Sequence, residues 1–305
     1  MLVKTFNENS KEAKVDIKNI EKLLGAQNVG SYDSGHMGCQ ILRFERNGQR
    51  EGLVVKFAPK ADQSALNEVR GNLHGYKEMK ALGMSELVPS NMGELTLSDG
   101  EGVVMRDLGF SMNALNGGEA ACTLLLKRLM RIIKNTVVEF PGRSLENERP
   151  MFVDEVMSHM SRFTHQGVPE LLALLKQSDW TGKWGKSALM LLDFTPDNIF
   201  LHAEGISFMD PWMQGTYLGN PAVSLGQFVA SMQRADMADA QKVGRMFEDE
   251  CVSKLPPLLG CDVLTVERSF RLGRTLQCVL SSYVRRESDK ALAAIFMARA
   301  HGFWS

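Results

Sequence analysis

The run LLDFTPDNIFLHAEGISFMD, from Leu191 to Asp210, is the most informative part of the sequence. The apolar residues before Asp193 predict a strand that ends at a loop. After Asn198, two short apolar segments flank a Gly-containing turn, and this pattern predicts a β-hairpin whose second strand ends at Asp210. Three side chains with oxygen atoms, those of Asp193, Asn198 and Asp210, are therefore expected to project from one small unit.

This set of side chains has the chemistry that phosphoryl transfer requires. A carboxylate such as Asp193 can orient an attacking hydroxyl group and accept its proton. An amide and a second carboxylate, here Asn198 and Asp210, can hold Mg²⁺ on nucleotide phosphates, because Mg²⁺ prefers oxygen ligands. Asp, Pro and Asn are also ordinary turn residues, so a surface turn followed by a hairpin is the competing interpretation.

The same residues resemble the catalytic segment of kinase-like phosphotransferases, in particular the aminoglycoside phosphotransferase and choline kinase family. Members of that family read His-Gly-Asp-x-x-Pro-x-Asn, followed by a hairpin and an Ile-Asp pair. Asp193, Pro196, Asn198 and Asp210 stand at the matching positions, whereas Leu191-Leu192 replaces His-Gly. The resemblance implies that Asp193 is the catalytic base, that Asn198 and Asp210 bind Mg²⁺, and that ATP, or alternatively GTP, is the phosphoryl donor.

A second departure from the family pattern lies downstream. The family commonly reads Gly-Asp-Pro-Ala-x-Asp-Leu, and its second Asp anchors the catalytic loop by accepting hydrogen bonds from backbone N–H groups. Here the segment reads Gly-Asn-Pro-Ala-Val-Ser-Leu, so Ser224 occupies that position. We hypothesise that apolar packing of Leu191 and Leu192 replaces the lost anchor. These departures bear on catalytic efficiency and subfamily, while the expected metal ligands are retained.

Composition limits the class of protein. The chain has 305 residues, of which 44% are hydrophobic and 23% charged, as in ordinary globular proteins long enough for two lobes. Its formal net charge of −1 argues against a general nucleic-acid or membrane-surface binder. Five scattered cysteines without a Cys-x-x-Cys pair fit reduced thiols better than disulfides or a zinc site. We therefore expect a cytoplasmic protein without a signal peptide or membrane span. Nothing in the sequence indicates the oligomeric state.

Alternating apolar residues in the first third predict an antiparallel sheet. A Gly-containing turn with Ser34, Gly35 and Gly38 separates two predicted strands, and Asn47-Gly48 predicts a tight turn before the strand from Leu53 to Phe57. Glycines let a backbone approach phosphate oxygens closely. The resemblance implies that Ser34, Gly35 and Gly38 belong to the nucleotide-binding loop, and a plain hairpin turn is the alternative.

Lys56 lies near the end of that apolar strand, where a buried ammonium group needs a partner. A helix predicted from Asp62 to Leu82 carries Glu68 near its start, and Glu68 is the preferred partner, with Glu78 as the alternative. Kinase-like enzymes use such an ion pair to aim the lysine at the α- and β-phosphates. The competing interpretation is a lysine that reaches solvent and a solvated glutamate.

The segment from Val103 to Gly109 reads VVMRDLG and resembles the hinge of small-molecule kinases. In that family the hinge backbone hydrogen-bonds the adenine, so the resemblance implies that Val104, Met105 and Asp107 contact the nucleotide. A simple linker between lobes is a compatible interpretation.

Helical periodicity replaces strand alternation after Gly118. The first helix is predicted from Glu119 to about Val138, ended before Pro141-Gly142, and the second from about Met151 to Thr164. About three more helices are predicted after Ala230, with breaks at Pro256-Pro257 and Gly260. The predicted fold class is α+β: a bilobal, protein-kinase-like fold. Its N-lobe, residues 1–105, combines a small antiparallel sheet with one long helix, and its C-lobe, residues 106–305, is larger and mostly helical.

The predicted function is ATP- and Mg²⁺-dependent transfer of the γ-phosphate to a hydroxyl group of a small molecule, such as an aminoglycoside-like antibiotic, a sugar or an amino alcohol. A nucleotide-binding pseudokinase or scaffold module without turnover is the alternative. A protein kinase is disfavoured, because no activation segment from Asp-Phe-Gly to Ala-Pro-Glu is present. The charged residues in the region expected to bind the acceptor have opposite signs, so they do not identify it: Glu248, Asp249, Glu250, Arg271, Arg274, Arg285 and Arg286.

Overall fold

The computed structural model describes residues 15–32, 38–46, 52–81, 83–89, 93–109, 111, 118–148, 181–191, 194–202, 205–209, 216–234, 239–285 and 290–302. The helix predicted from Met151 to Thr164 lies outside these residues. The chain divides into two compact units. One comprises Met1–His74 and Pro89–Asp107, and the other comprises Gly75–Val88 and Leu108–Ser305.

The first unit is built on a five-stranded antiparallel sheet in the order β1-β2-β3-β5-β4. The strands are β1 (Gln27–Tyr32), β2 (Gln40–Glu45), β3 (Gly52–Pro59), β4 (Gly93–Thr96) and β5 (Gly100–Arg106). The central strand β3 pairs with β2 on one edge and with β5 on the other. Every residue of β3 after Gly52 is buried, which explains its nearly continuous apolar sequence.

Two helices accompany this sheet, α1 (Ile17–Leu24) and α2 (Gln63–Ala81), and α2 agrees with the helix predicted from Asp62 to Leu82 within one residue at each end. The carboxylate of Asp16 caps α1 by accepting the N–H of Asn19 at 3.1 Å. Gly25 ends α1 in the left-handed conformation, with φ 58°. Ile20 of α1 is fully buried in a cluster with sheet residues that include Phe44 and Phe57, so α1 covers one face of the sheet.

The second unit is mostly helical. Its helices are α3 (Glu119–Asn135), α4 (Ala222–Arg234), α5 (Ala240–Leu259), α6 (Val263–Arg285) and α7 (Lys290–Gly302). Strands β6 (Val138–Ser144), β7 (Lys183–Leu191) and β10 (Thr216–Gly219) form an antiparallel sheet in the order β10-β7-β6. Strands β8 (Ile199–His202) and β9 (Gly205–Phe208) form the predicted hairpin. A sheet-based first unit and a mainly helical second unit confirm the α+β class.

The predicted end of α3 is wrong, and β6 was not predicted. The hydroxyl of Thr136 donates to the carbonyls of Ile132 and Ile133 at 3.1 and 3.0 Å, which terminates α3 at Asn135. The chain then continues as β6, with Pro141-Gly142 inside the strand. Gly142 has φ 85°, and the β6–β7 register shifts across this position, so the proline occupies a bulge that needs no ladder N–H.

The predicted break at Pro256-Pro257 is also wrong. Helix α5 continues through both prolines to Leu259 and ends at Gly260. Gly260 is left-handed, with φ 66°, and its N–H donates to the carbonyl of Pro256 at 2.9 Å. The prolines lie in the last turn, where a missing N–H costs little because few helical residues follow it.

Helices α4 and α6 approach each other at backbone distance. A Cβ atom added at Gly226 of α4 would collide with the carbonyl oxygen of Phe270, and one at Gly273 of α6 would collide with that of Val223. Glycine at both positions therefore permits the close crossing of the two helices. Within the described ranges, no helix combines the length and the apolar composition needed to cross a bilayer.

Candidate active site

Lys56 lies in the middle of the sheet of the first unit, opposite Ile41 of β2 and Val103 of β5. Its side chain is 3% exposed, and its Nζ lies 2.6 Å from Oε1 of Glu68 on α2. A buried ammonium group is costly without an opposite charge, so the carboxylate allows a lysine to occupy this apolar strand. Of the two carboxylates that the sequence offered, Glu68 forms the ion pair.

The glycine loop is partly described, since Ser34 and Gly35 lie outside the described residues and Gly38 lies within them. Gly38 has φ 84°, a conformation that favours glycine. A Cβ at this position would lie 2.5 Å from Oδ2 of Asp62. The other oxygen of Asp62 accepts the N–H of Ala65 at 3.0 Å and so caps α2. The glycine is therefore needed both for its backbone angle and for the close approach of the capping residue of the helix that carries Glu68.

Two of the three hinge candidates are buried in β5, namely Val104 and Met105. The third, Asp107, is held by contacts within the first unit. Its carboxylate accepts hydrogen bonds from the Tyr32 hydroxyl and from Nε of Arg43, both at 3.0 Å. Its backbone N–H donates to the carbonyl of Gly52 at 2.8 Å. These contacts fix the end of β5 against its neighbours, and the contact of Asp107 with a nucleotide remains a prediction.

The loop that contains Asp193 is flanked by buried residues. Leu191, at the end of β7, is 3% exposed, and Phe194 is 2% exposed. The Phe194 ring packs against Phe208 of β9 and Phe228 of α4, with centroid distances of 5.8 and 5.4 Å. Asp193 itself lies outside the described residues. The described residues on either side of it, Leu191 and Phe194, are therefore both held in apolar surroundings, and the Phe194 ring contacts β9 and α4.

A main-chain hydrogen bond joins Asn198 to the residue that precedes Asp210. Asn198 ends a short 3₁₀ turn, Pro196–Asn198, and its carbonyl accepts the N–H of Met209 at 2.8 Å. The hairpin register continues from this bond, with Ile199 opposite Phe208. Asp210 lies outside the described residues but follows Met209 directly in the chain. The hairpin thus places Asn198 beside Met209, the residue before the predicted ligand Asp210.

Ser224 stands at the position of the family's loop anchor. Its hydroxyl is buried, and it has no hydrogen-bond partner in the part of the chain that the structure describes. The neighbouring Asn220 accepts the N–H of Ala222 at 3.1 Å and so forms the turn into α4. Burial of Leu191 agrees with the hypothesis that apolar packing holds the loop.

Two of the charged residues expected near the acceptor, Glu250 and Arg274, interact with other charged residues of the second unit. Glu250 forms an ion pair with Lys254, one turn later on α5. Arg274 on α6 is half-buried near Glu248; burial lowers the pKa of Arg274, and the Glu248 carboxylate opposes this change. Asp249 and Arg271 are exposed. The side chain of Arg285 and the whole of Arg286 lie outside the described residues, so these charges do not select an acceptor.

Comparison with solved structures identifies the architecture. The chain superposes on an aminoglycoside-3'-phosphotransferase of type VIII with a TM-score of 0.54 and 13% identity, over 85% of this chain and 97% of that one. A choline kinase from Streptococcus pneumoniae superposes with a TM-score of 0.51 and 13% identity, over 94% of this chain and 97% of that one. A spectinomycin phosphotransferase, solved with ADP and spectinomycin, superposes with a TM-score of 0.52 and 11% identity, over 93% of this chain and 94% of that one. The chain has the protein-kinase-like fold. No protein-family model and no curated protein matches it by sequence.

Within this kinase-like fold, the contacts that sequence reasoning missed are those that hold candidate site segments against neighbouring elements. The anchoring role of Phe194 was not recognised, because its partners Phe208 and Phe228 lie on other elements and no local pattern links them. The contacts of Asp107 with Tyr32 and Arg43 were missed for the same reason. A weak signal existed for Phe194, since phenylalanine is among the residue types most often buried.

Proposed function

We propose that this protein is an ATP- and Mg²⁺-dependent phosphotransferase that transfers the γ-phosphoryl group to a hydroxyl group of a small molecule. The observation that supports it best is the buried Lys56–Glu68 ion pair on β3 and α2 of a protein-kinase-like fold. A buried lysine paired with a carboxylate is the group that such enzymes direct at the α- and β-phosphates. GTP is the alternative nucleotide.

The described residues fit a nucleotide and its metal ion. Lys56 supplies a positive charge with little access to bulk water, where its attraction to phosphate is weakly screened. The half-buried Asn198 offers an amide oxygen, and its backbone bond to Met209 places the start of the Asp210 segment beside it. Amide and carboxylate oxygens suit Mg²⁺. In this proposal Asn198 and Asp210 hold the ion, which neutralises charge on the phosphates when bound.

The remaining chemistry belongs to Asp193. Its carboxylate orients the acceptor hydroxyl and accepts its proton as the acceptor oxygen bonds to the γ-phosphorus and the bond to the ADP oxygen breaks. Packing of Phe194 limits the motion of this loop and so favours a fixed position of the carboxylate. Such a site accelerates the reaction mainly through positioning and electrostatic stabilisation. The acceptors we propose to test are aminoglycoside-like antibiotics, sugars and amino alcohols.

The test is a screen of these acceptors for ATP consumption, with an Asp193→Ala variant as the blank. We expect turnover with at least one acceptor and a loss of about 10²-fold or more in Asp193→Ala, the usual contribution of a general base. The same variant should still be stabilised by Mg²⁺-ATP in a thermal shift assay. Asp210→Ala should lose the Mg²⁺-dependent part of that stabilisation.

Two results would contradict the proposal in different ways. Near-wild-type turnover in Asp193→Ala would remove Asp193 from its role as the base. Stabilisation by nucleotide without ATP consumption on any acceptor would instead indicate a nucleotide-binding module without turnover.

A further inference from the structure

A cavity of about 240 Å³ lies in the second unit, and none of its lining residues is among those assigned to phosphoryl transfer. It is lined by residues of α3, of β9 and of the 3₁₀ turn Ser85–Leu87: Glu86, Leu87, Arg128, Arg131, Ile132, Gly205 and Ile206. Leu87, Ile132 and Ile206 are buried and form an apolar wall. The polar part of the lining comes from two arginines and one glutamate.

Arg128 is the unusual member of this group. It is half-buried, and no hydrogen bond or ion pair engages its guanidinium group within the described ranges. Arg131, one turn later on α3, pairs with Glu86 at 2.7 Å, and both of these side chains are largely exposed (61% and 49%). Two positive charges and one negative charge therefore meet at the cavity. A helix C-terminus does not account for Arg128, because α3 continues for about two more turns after it.

Gly205 gives the guanidinium group its position. A Cβ atom at residue 205 would lie 2.8 Å from Nη1 of Arg128, which is too close for any other residue without displacing the arginine. The backbone angle of Gly205 does not itself require glycine, since it is not among the glycines with positive φ. The small residue at the start of β9 thus leaves room for Arg128 against the turn of the hairpin.

We propose that this cavity is a binding site for a small anion that carries a phosphoryl group, separate from the nucleotide site. A guanidinium fork matches phosphate oxygens in a bidentate geometry, and within the described residues no carboxylate pairs with Arg128, since Glu86 pairs with Arg131. The volume equals that of about eight water molecules at ~30 Å³ each, which admits phosphate or a small phosphate ester and falls below the usual range for larger ligands. The site is at the turn end of the hairpin, about 13 Å along the strands from Asn198 and Met209. A bound anion would therefore stabilise the hairpin that carries the proposed metal ligands.

The test measures binding of inorganic phosphate to the full chain by calorimetry, without nucleotide or acceptor. We expect binding by the wild type and by Lys56→Met, and at least tenfold weaker binding by Arg128→Gln. Arg70→Gln is the matched control, because Arg70 is an exposed arginine of the first unit that pairs with Glu101. It should bind phosphate as the wild type does.

Binding that is lost in Lys56→Met and retained in Arg128→Gln would place phosphate at the nucleotide site and overturn the proposal. Absence of binding by the wild type at millimolar phosphate would also overturn it. If Arg128→Gln does not fold, Arg128→Lys keeps the charge but loses the fork, and unchanged affinity in that variant would contradict the bidentate site. Because no turnover is measured, failure of the proposed phosphotransferase activity does not affect the outcome.

Discussion

At the scale of single residues, Lys56 and Glu148 are the charged side chains most deeply buried in the described part of the chain, at 3% and 2% exposure. Lys56 could be recognised from the sequence because it interrupts an apolar strand. Glu148 could not be recognised, because it follows a strand that the sequence did not predict. Both pair with an opposite charge, Lys56 with Glu68 and Glu148 with Arg143. The Lys56–Glu68 pair belongs to the proposed nucleotide site, and the Glu148–Arg143 pair does not.

Replacing Glu68 by Ala should lower the free energy of unfolding by about 3 kcal/mol, because it leaves a buried ammonium group without its partner. It should also weaken nucleotide binding, since the lysine loses its orientation. Chemical denaturation and nucleotide titration measure the two effects. The control is Glu101→Ala, which removes a surface ion pair with Arg70 in the same unit and should cost less than about 1 kcal/mol. Equal losses in both variants would contradict a special role for the buried pair.

The Glu148 carboxyl predicts a pH dependence of stability. Burial raises the pKa of Glu148, while the charge and hydrogen bond of Arg143 act in the opposite direction. A carboxyl whose pKa is higher in the folded than in the unfolded state holds its proton more tightly when folded. Its contribution to stability is therefore complete below the ordinary glutamate pKa and is lost as the pH rises through the folded-state pKa.

The Glu148→Gln variant should thus lose less stability than the wild type as the pH rises from about 5 toward neutrality, since it carries no titrating group there. Melting temperatures measured across this range for both proteins give the comparison. Parallel curves would show that Glu148 does not titrate differently in the folded and unfolded states.

At the scale of elements, the hairpin β8–β9 and the strand β3 were predictable because a local pattern determined each of them. The hairpin has two short apolar runs around a glycine turn, and β3 has a continuous apolar run. β6 was not predictable, because Pro141-Gly142 is a normal signal for the end of a helix and only its pairing with β7 makes it a bulge. The close crossing of α4 and α6 also leaves no local signal, since a glycine within a helix has many possible causes.

Substitution of Gly273 by Ala should destabilise the second unit by about 3 kcal/mol, at the upper end of typical overpacking costs, because the new methyl group would meet the backbone of Val223. Thermal or urea unfolding measures the effect. Gly244→Ala on α5 is a matched control, since its Cβ would meet side-chain atoms and no backbone: Cγ1 of Val229 at 3.0 Å and Nε2 of Gln233 at 3.9 Å. A gain in helix propensity of ~1 kcal/mol should offset that contact. If Gly273→Ala unfolded at the same temperature or urea concentration as the wild type, α4 and α6 could move apart without a loss of stability.

At the scale of the whole molecule, the fold class followed from the sequence, and the supporting contacts did not. The change from strand alternation to helical periodicity indicated a sheet-based unit followed by a helical one, and the solved structures of this fold agree. The Lys56–Glu68 pair could be predicted from the sequence because its members lie on consecutive elements, β3 and α2. Contacts of Phe194 with Phe228, or of Arg128 with Gly205, depend on packing between elements that are distant in the chain, and composition and periodicity carry no information about them.

The hydrogen bond between the Asn198 carbonyl and the Met209 N–H has a consequence for ion preference. Both partners are main-chain atoms, so exchanging the side chain at position 198 does not remove either of them. Under the proposed function, Asn198→Asp would add negative charge beside the Mg²⁺ ion while this hydrogen bond still held position 198 next to Met209. In that proposal, the preference among divalent cations can therefore be adjusted through the kind of oxygen atom offered at position 198, without a change in the main-chain contact.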